Sequence, residues 1–156
     1  MTKGRSPGAR RRAREYALLA LYRTDLDAVP VERALAQLWE ALVEGDGLPD
    51  VQAPEEDEVG FATRIVEGVH ASRAELDPVI DQASTNWRIP RMPLVDRNIL
   101  RIAAWELTRG DGIPASVTCN EAVELAKRYG TAESRAFVNG IVDRMGRQLG
   151  RLPERR

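Results

Sequence analysis

Apolar residues recur at three- and four-residue spacing along most of the chain, and no stretch shows the sustained alternation of a half-buried strand. Good helix formers (Ala, Leu, Glu and Arg) dominate, so the pattern predicts an all-α fold of six or seven helices. The first is expected over about Ala9 to Asp27, where Ala13, Ala17 and Leu21 repeat every fourth residue with Leu18 and Tyr22 beside them. After Pro30, the stretch Val31 to Val43 places Leu35, Leu38, Trp39 and Leu42 on one face. Gly45 to Pro54 reads as a loop, with two Gly, two Pro and two Asp in ten residues. Glu55-Glu56-Asp57-Glu58 then opens a third helix, because carboxylates suit the positive end of the helix dipole. That helix is expected to run through Phe61, Ile65, Val66 and Val69 to about Ala71.

Ser72 and Glu75 have capping-box spacing and predict a fourth helix from Ser72 to Trp87. Ile89-Pro90 and Met92-Pro93 break the pattern. They are the expected boundary between an N-terminal bundle, 1–88, and a C-terminal bundle, 89–156. A fifth helix, about Pro93 to Arg109, carries Val95, Ile99, Ile102 and Ala103 on one side and Leu100, Ala104 and Leu107 on the other. It is therefore expected to be buried on most of its circumference. A sixth begins near Thr118 to Asn120, where Thr118 and Glu121 fit a second capping box, and ends at Gly130 as a C-terminal glycine. The last covers about Ser134 to Leu149.

The chain has 156 residues and a net charge of −1, which by itself describes an ordinary soluble protein and argues against a nucleic-acid binder. The average hides a segregation. Residues 1–23 carry seven basic residues and one acidic, residues 24–85 three basic and fifteen acidic, and residues 86–156 thirteen basic and eight acidic. A basic head, an acidic middle and a basic tail are the kind of asymmetry that electrostatic partner choice uses. The single cysteine, Cys119, excludes an internal disulfide, and with the single histidine, His70, it excludes the usual Cys/His zinc site. No apolar run reaches the roughly 18 residues of a membrane helix, and Ala17 to Leu21 is too short for a leader core. The expected compartment is the cytoplasm.

Four segments hold the candidate chemistry. Lys3, Arg5, Arg10, Arg11, Arg12 and Arg14 precede or flank the first carboxylate, Glu15. This head reads either as a solvated, frayed end or as a phosphate clamp, since guanidinium forks match phosphate. In the stretch 93–101, Arg97 and Arg101 share a helix face, which reads as a core helix with polar edges or as a surface that meets a partner. In the stretch 120–130, Glu121 and Glu124 lack the histidine or metal set that acid–base work needs. In the stretch 134–141, Phe137 stands among Ser134, Arg135 and Asn139. It reads as a buried Phe under a helix start, or as a stacking platform on which Ser and Asn read base edges. Gly140 inside this helix suggests close approach of a backbone or a ligand. No Walker loop, dinucleotide fingerprint or nucleophile elbow occurs.

Taken together, the stretches 10–15 and 17–22, Asp96 to Arg101, Asn120 to Lys127 and Phe137 to Ile141 resemble, in order, the blocks of the NusB family of bacterial transcription antitermination factors. The resemblance spans nearly the whole chain, with residues 24–60 matching only as generic helices and loop. It implies two three-helix bundles, no catalysis, and neither cofactor nor metal. It also implies binding of boxA in nascent ribosomal RNA transcripts, pairing with the small-subunit ribosomal protein NusE, and assembly with other Nus factors on RNA polymerase. Carried over, Arg10, Arg11, Arg12, Arg14, Ser134, Phe137 and Asn139 are expected at the RNA, and Tyr22, Asp96 and Arg97 near NusE. Leu19 stands where some members carry Gln beside the RNA surface, and Glu133 adds a carboxylate there. The competing expectations are a detached accessory module of an RNA methyltransferase and a homodimer that covers the arginines.

Overall fold

The computed structural model describes residues 7–44, 53–109 and 112–153, and its regular elements are all helical. They are α1 (Pro7–Asp27), α2 (Val31–Glu44), α3 (Glu56–Ala83), a 3-10 turn (Ile89–Arg91), α4 (Leu94–Arg109), α5 (Ala115–Tyr129) and α6 (Ser134–Gln148). Lys3, Arg5, Gly110, Asp111 and most of the expected 45–54 loop lie outside the described residues. None of the described helices is long and apolar enough to cross a membrane.

Two compact units divide between Glu67 and Gly68, inside α3. The first holds α1, α2 and the start of α3; the second holds the rest of α3 with α4, α5 and α6. The proline-rich break at residues 89–93 forms the 3-10 turn within the second unit.

The expected stop at Ala71 and new start at Ser72 do not occur, because α3 runs unbroken from Glu56 to Ala83. Ser72 is buried, and its hydroxyl accepts a hydrogen bond from Arg109 Nη1 at 2.6 Å rather than capping a helix. The true start of α3 uses the acidic run. Glu58, in the first turn, reaches back to accept the Glu55 N–H at 3.1 Å, the carboxylate half of a capping box.

In the first unit, Ala13, Tyr16, Leu42 and Ala62 form a buried cluster, with Leu38, Trp39 and Phe61 packed on it. Tyr16 and Trp39 meet edge to face, 5.6 Å between centroids, an arrangement that adds about 1 kcal/mol beyond area burial.

In the second unit, α4 is buried on most of its circumference as expected, with eleven of its sixteen residues inside. Four of those eleven are polar or charged: Asp96, Asn98, Arg101 and Glu106. Arg101 makes a two-pronged pair with Asp77 of α3, through Nε at 2.9 Å and Nη2 at 3.2 Å. Glu106 accepts the Thr118 hydroxyl at 3.1 Å. Thr118 is therefore a buried partner of α4 rather than a cap, and α5 starts three residues earlier, after Pro114. Gly68 lies against the Trp105 indole so closely that any side chain there collides with the ring. The end of α6 is a Schellman turn: Gly150 has φ +70°, its N–H bonds the Arg147 carbonyl, and the Arg151 N–H bonds the Gly146 carbonyl.

Candidate nucleic-acid interface

The first unit carries the arginine head. Residues four apart share a helix face, so α1 sets Arg10 and Arg14 one above the other. Both guanidiniums lie over the ring of Phe61 on α3, 5.2 and 5.6 Å from its centroid. Arg14 is 3% exposed, which removes it from the contact surface that the sequence suggested. The reason is that α1 is buried all round from Ala13 to Leu18. Arg12 donates Nε to Glu58 at 2.6 Å; its own side chain is half exposed, whereas Glu58 is 2% exposed. That hydrogen bond, outweighing the opposing effect of partial burial, raises the Arg12 pKa. Arg11 is exposed and Arg10 half-buried.

The like charges of the head are thus held by a ring face and a buried carboxylate, which offsets part of their mutual repulsion. Beside Arg10 lies a cavity of about 370 Å³ lined further by Glu56, Asp57, Gly60, Phe61 and Arg64. Tyr22, expected near a partner, is half-buried further along α1.

The second unit carries the other set. Phe137, in the first turn of α6, is half-buried, and Asn139 is exposed. Ser134 is 1% exposed and does not face outward. Its Oγ accepts the Thr131 N–H at 2.9 Å and lies 3.3 Å from the Thr131 hydroxyl, closing the turn that launches α6. Gly130 has extended backbone (φ −91°, ψ −172°), so it is no left-handed helix end. It is glycine because the Ser134 side chain occupies the space a Cβ would take.

Asp96, expected at a protein surface, is also inside, 4% exposed, and it pairs with Ser134. The structure therefore joins two residues that the sequence assigned to different surfaces, and withdraws both from direct contact. Arg97, its neighbour on α4, is half-buried.

Burial pushes the Asp96 carboxyl above its ordinary value of 3.8, and the Ser134 hydrogen bond pulls it partly back. Its Oδ1 has no partner among the described groups. A carboxyl raised in the folded state lowers stability when ionised. The deficit is full above the folded pKa and is relieved as pH falls through it towards the unfolded value. Asp96→Asn is therefore expected to match or exceed the parent in stability at about pH 7, with the advantage shrinking at about pH 4. Denaturant unfolding at the two pH values checks this. An advantage that grows on acidification would contradict it.

Gly140 meets no foreign backbone, contrary to the close approach expected from the sequence. A Cβ placed there finds only the Arg144 guanidinium nitrogens, at 3.7 and 3.8 Å, which is ordinary contact. Gly140→Ala is expected to stabilise α6 by about 0.5–1 kcal/mol, seen as a raised thermal midpoint.

Sequence reasoning missed Phe61 and Glu58. The helical spacing of Phe61 marks it only as core, and Glu58 reads only as one of four acids at a helix start. His70 is exposed on α3. Cys119 is partly buried, and burial first, then the charge of Asp143, raises its thiol pKa, which leaves it a poor nucleophile at neutral pH. Among the described residues no group of His, Cys, Asp and Glu is arranged to hold a metal.

A family model described as the NusB family matches residues 11–147. A relative from Sorangium cellulosum, named transcription antitermination protein NusB, is 44% identical over 93% of this chain and 96% of its own length. The solved structure of Thermotoga maritima NusB is 33% identical, covers 89% of this chain and 91% of its own, and superposes with a TM-score of 0.75. A structure described as antitermination factors NusB and NusE in complex with dsRNA shares the fold at a TM-score of 0.77. It is 24% identical, over 92% of this chain and 99% of that one.

Proposed function

The chain belongs to the NusB family, and from that premise we propose that it is an RNA-binding transcription antitermination factor. It takes up boxA of nascent ribosomal RNA transcripts together with NusE, and with other Nus factors it keeps RNA polymerase elongating. The observation that carries this reading is the end-to-end match to a relative named for antitermination. The geometry supports it by holding an arginine cluster in place before any ligand arrives.

Roles divide by exposure. Arg10, Arg11 and Arg12 meet phosphates. Arg14 acts from below, packing on the same Phe61 ring as Arg10. Phe137 stacks a base and Asn139 reads an edge. Ser134 and Asp96 fix the launch of α6 instead of touching RNA. Tyr22 and Arg97 are left as the NusE contacts.

Titrating labelled boxA RNA with and without NusE, at several salt concentrations, tests this. Binding is expected to tighten with NusE and to weaken with salt. Affinity indifferent to NusE and to boxA sequence would overturn it. The methyltransferase-accessory reading is not favoured, because the matched relative is covered over 96% of its own length.

A further inference from the structure

Trp87 is 51% exposed and lies apart in sequence from the arginine head and from Phe137 and Asn139. The turn that carries it is pinned on both sides. The Ser84 hydroxyl donates to the Trp87 carbonyl, the Arg88 guanidinium donates to the Asp81 carbonyl at 2.9 Å, and the Ile89 N–H donates to Asp81 Oδ1 at 3.1 Å. All three fix main chain, so little conformational entropy remains to be lost when a partner docks.

The turn itself is cationic. Residues 82–95 contain Arg88 and Arg91 and no carboxylate, in a chain with 24 acidic residues, and the nearest one, Asp81, is engaged by Ile89. Arg144 adds a third guanidinium: its Nε donates at 2.6 Å to the carbonyl of Ala83, the residue before Ser84. Arg144 also shares a face of α6 with Phe137, seven residues and about two turns away. Gly140 lies between them, and the Arg144 guanidinium is within 3.8 Å of where its Cβ would stand.

We propose that Trp87 is a second stacking platform for single-stranded RNA, on a path that runs from Phe137 over Gly140 and Arg144 to the turn at Ser84–Arg91. The ligand must present flat apolar faces and regularly spaced negative charge at once, and unstacked nucleotides do both. Exposed Thr85 and Asn86 precede Trp87 in the same turn and carry base-edge donors and acceptors. The proposal rests on the RNA-binding reading and extends its site.

The test compares Trp87→Ala and Trp87→Phe with the parent, using boxA oligoribonucleotides of core length and extended at either end. Trp105 is 8% exposed and Trp39 is partly buried, so quenching of intrinsic fluorescence by RNA reports mainly on Trp87. Extended RNA is expected to quench the parent. Trp87→Ala should bind extended RNA about ten-fold more weakly and core RNA as the parent does, while Trp87→Phe keeps most of the affinity. Helix content and thermal midpoint should not move, since the pinning bonds to residue 87 are main-chain. Equal affinity of Trp87→Ala and the parent for extended RNA overturns the platform while leaving the RNA reading intact. Weakened NusE binding with RNA affinity unchanged overturns it in favour of a protein contact. A parent that binds no boxA RNA overturns both readings.

Discussion

Asp77→Ala is expected to destabilise the second unit by about 3 kcal/mol, the largest effect of any single substitution outside the apolar core. The Arg101 side chain is 2% exposed, and Asp77 neutralises it through two hydrogen bonds. Removing the carboxylate takes the two-pronged partner from a guanidinium held in low dielectric, which keeps a long contact to Asn98 Oδ1 at 3.4 Å. Arg73, whose Nε lies 3.8 Å from Asp77 Oδ2, adds little because it is exposed. Asp77 itself is 28% exposed, which puts the expected loss at the lower end of the range for a broken buried pair. Replacing both partners with apolar residues of similar size, Asp77→Leu with Arg101→Met, should recover most of the loss. Denaturant titration of the three variants checks this. A loss below about 1 kcal/mol for Asp77→Ala would show that the guanidinium finds other partners.

Arg11→Glu is expected to give the largest loss of RNA affinity in the head, about ten-fold or more at physiological salt. Arg11 is exposed, whereas Arg10 and Arg14 are stacked on Phe61 and Arg12 is paired with Glu58. Reversing its charge removes a phosphate contact and adds repulsion at an exposed position. The slope of log affinity against log salt should flatten by ~0.7 or more, the share of one phosphate on a single strand. Arg14→Ala should instead act on folding, lowering the thermal midpoint before it changes the salt slope. An unchanged slope for Arg11→Glu would remove Arg11 from the RNA surface.

The fold was legible wherever apolar periodicity decides it. The spans of α1, α2, α4 and α6 follow from their apolar stripes to within a few residues. Both capping boxes inferred from Ser72 and Thr118 failed for one reason. A hydroxyl followed three residues later by Glu is a local signature, but each hydroxyl is taken by a side chain distant in sequence, Arg109 or Glu106.

The candidate site divides in the same way. Arg11, Phe137 and Asn139 lie at least partly exposed, where a surface reading needs them, because local sequence fixes their helix positions. Arg14, Ser134 and Asp96 were misplaced because their burial depends on Phe61, on the turn after Gly130 and on each other. No spacing along the chain shows those pairings.

The polar contacts of α4 have a consequence for how the second unit assembles. Glu106 is joined to Thr118 across 12 residues, Arg101 to Asp77 across 24, and Asp96 to Ser134 across 38. Closing a longer loop has a higher entropic cost, so the α4–α5 hairpin should dock first, α3 next and α6 last. A chain that collapses with α4 one turn out of place would leave a guanidinium or a carboxylate unpaired inside, a far higher free energy than an apolar mismatch. The three contacts thus act as a register check during folding. Amide exchange during refolding should show α6 and its Phe137 acquiring protection after α4 and α5.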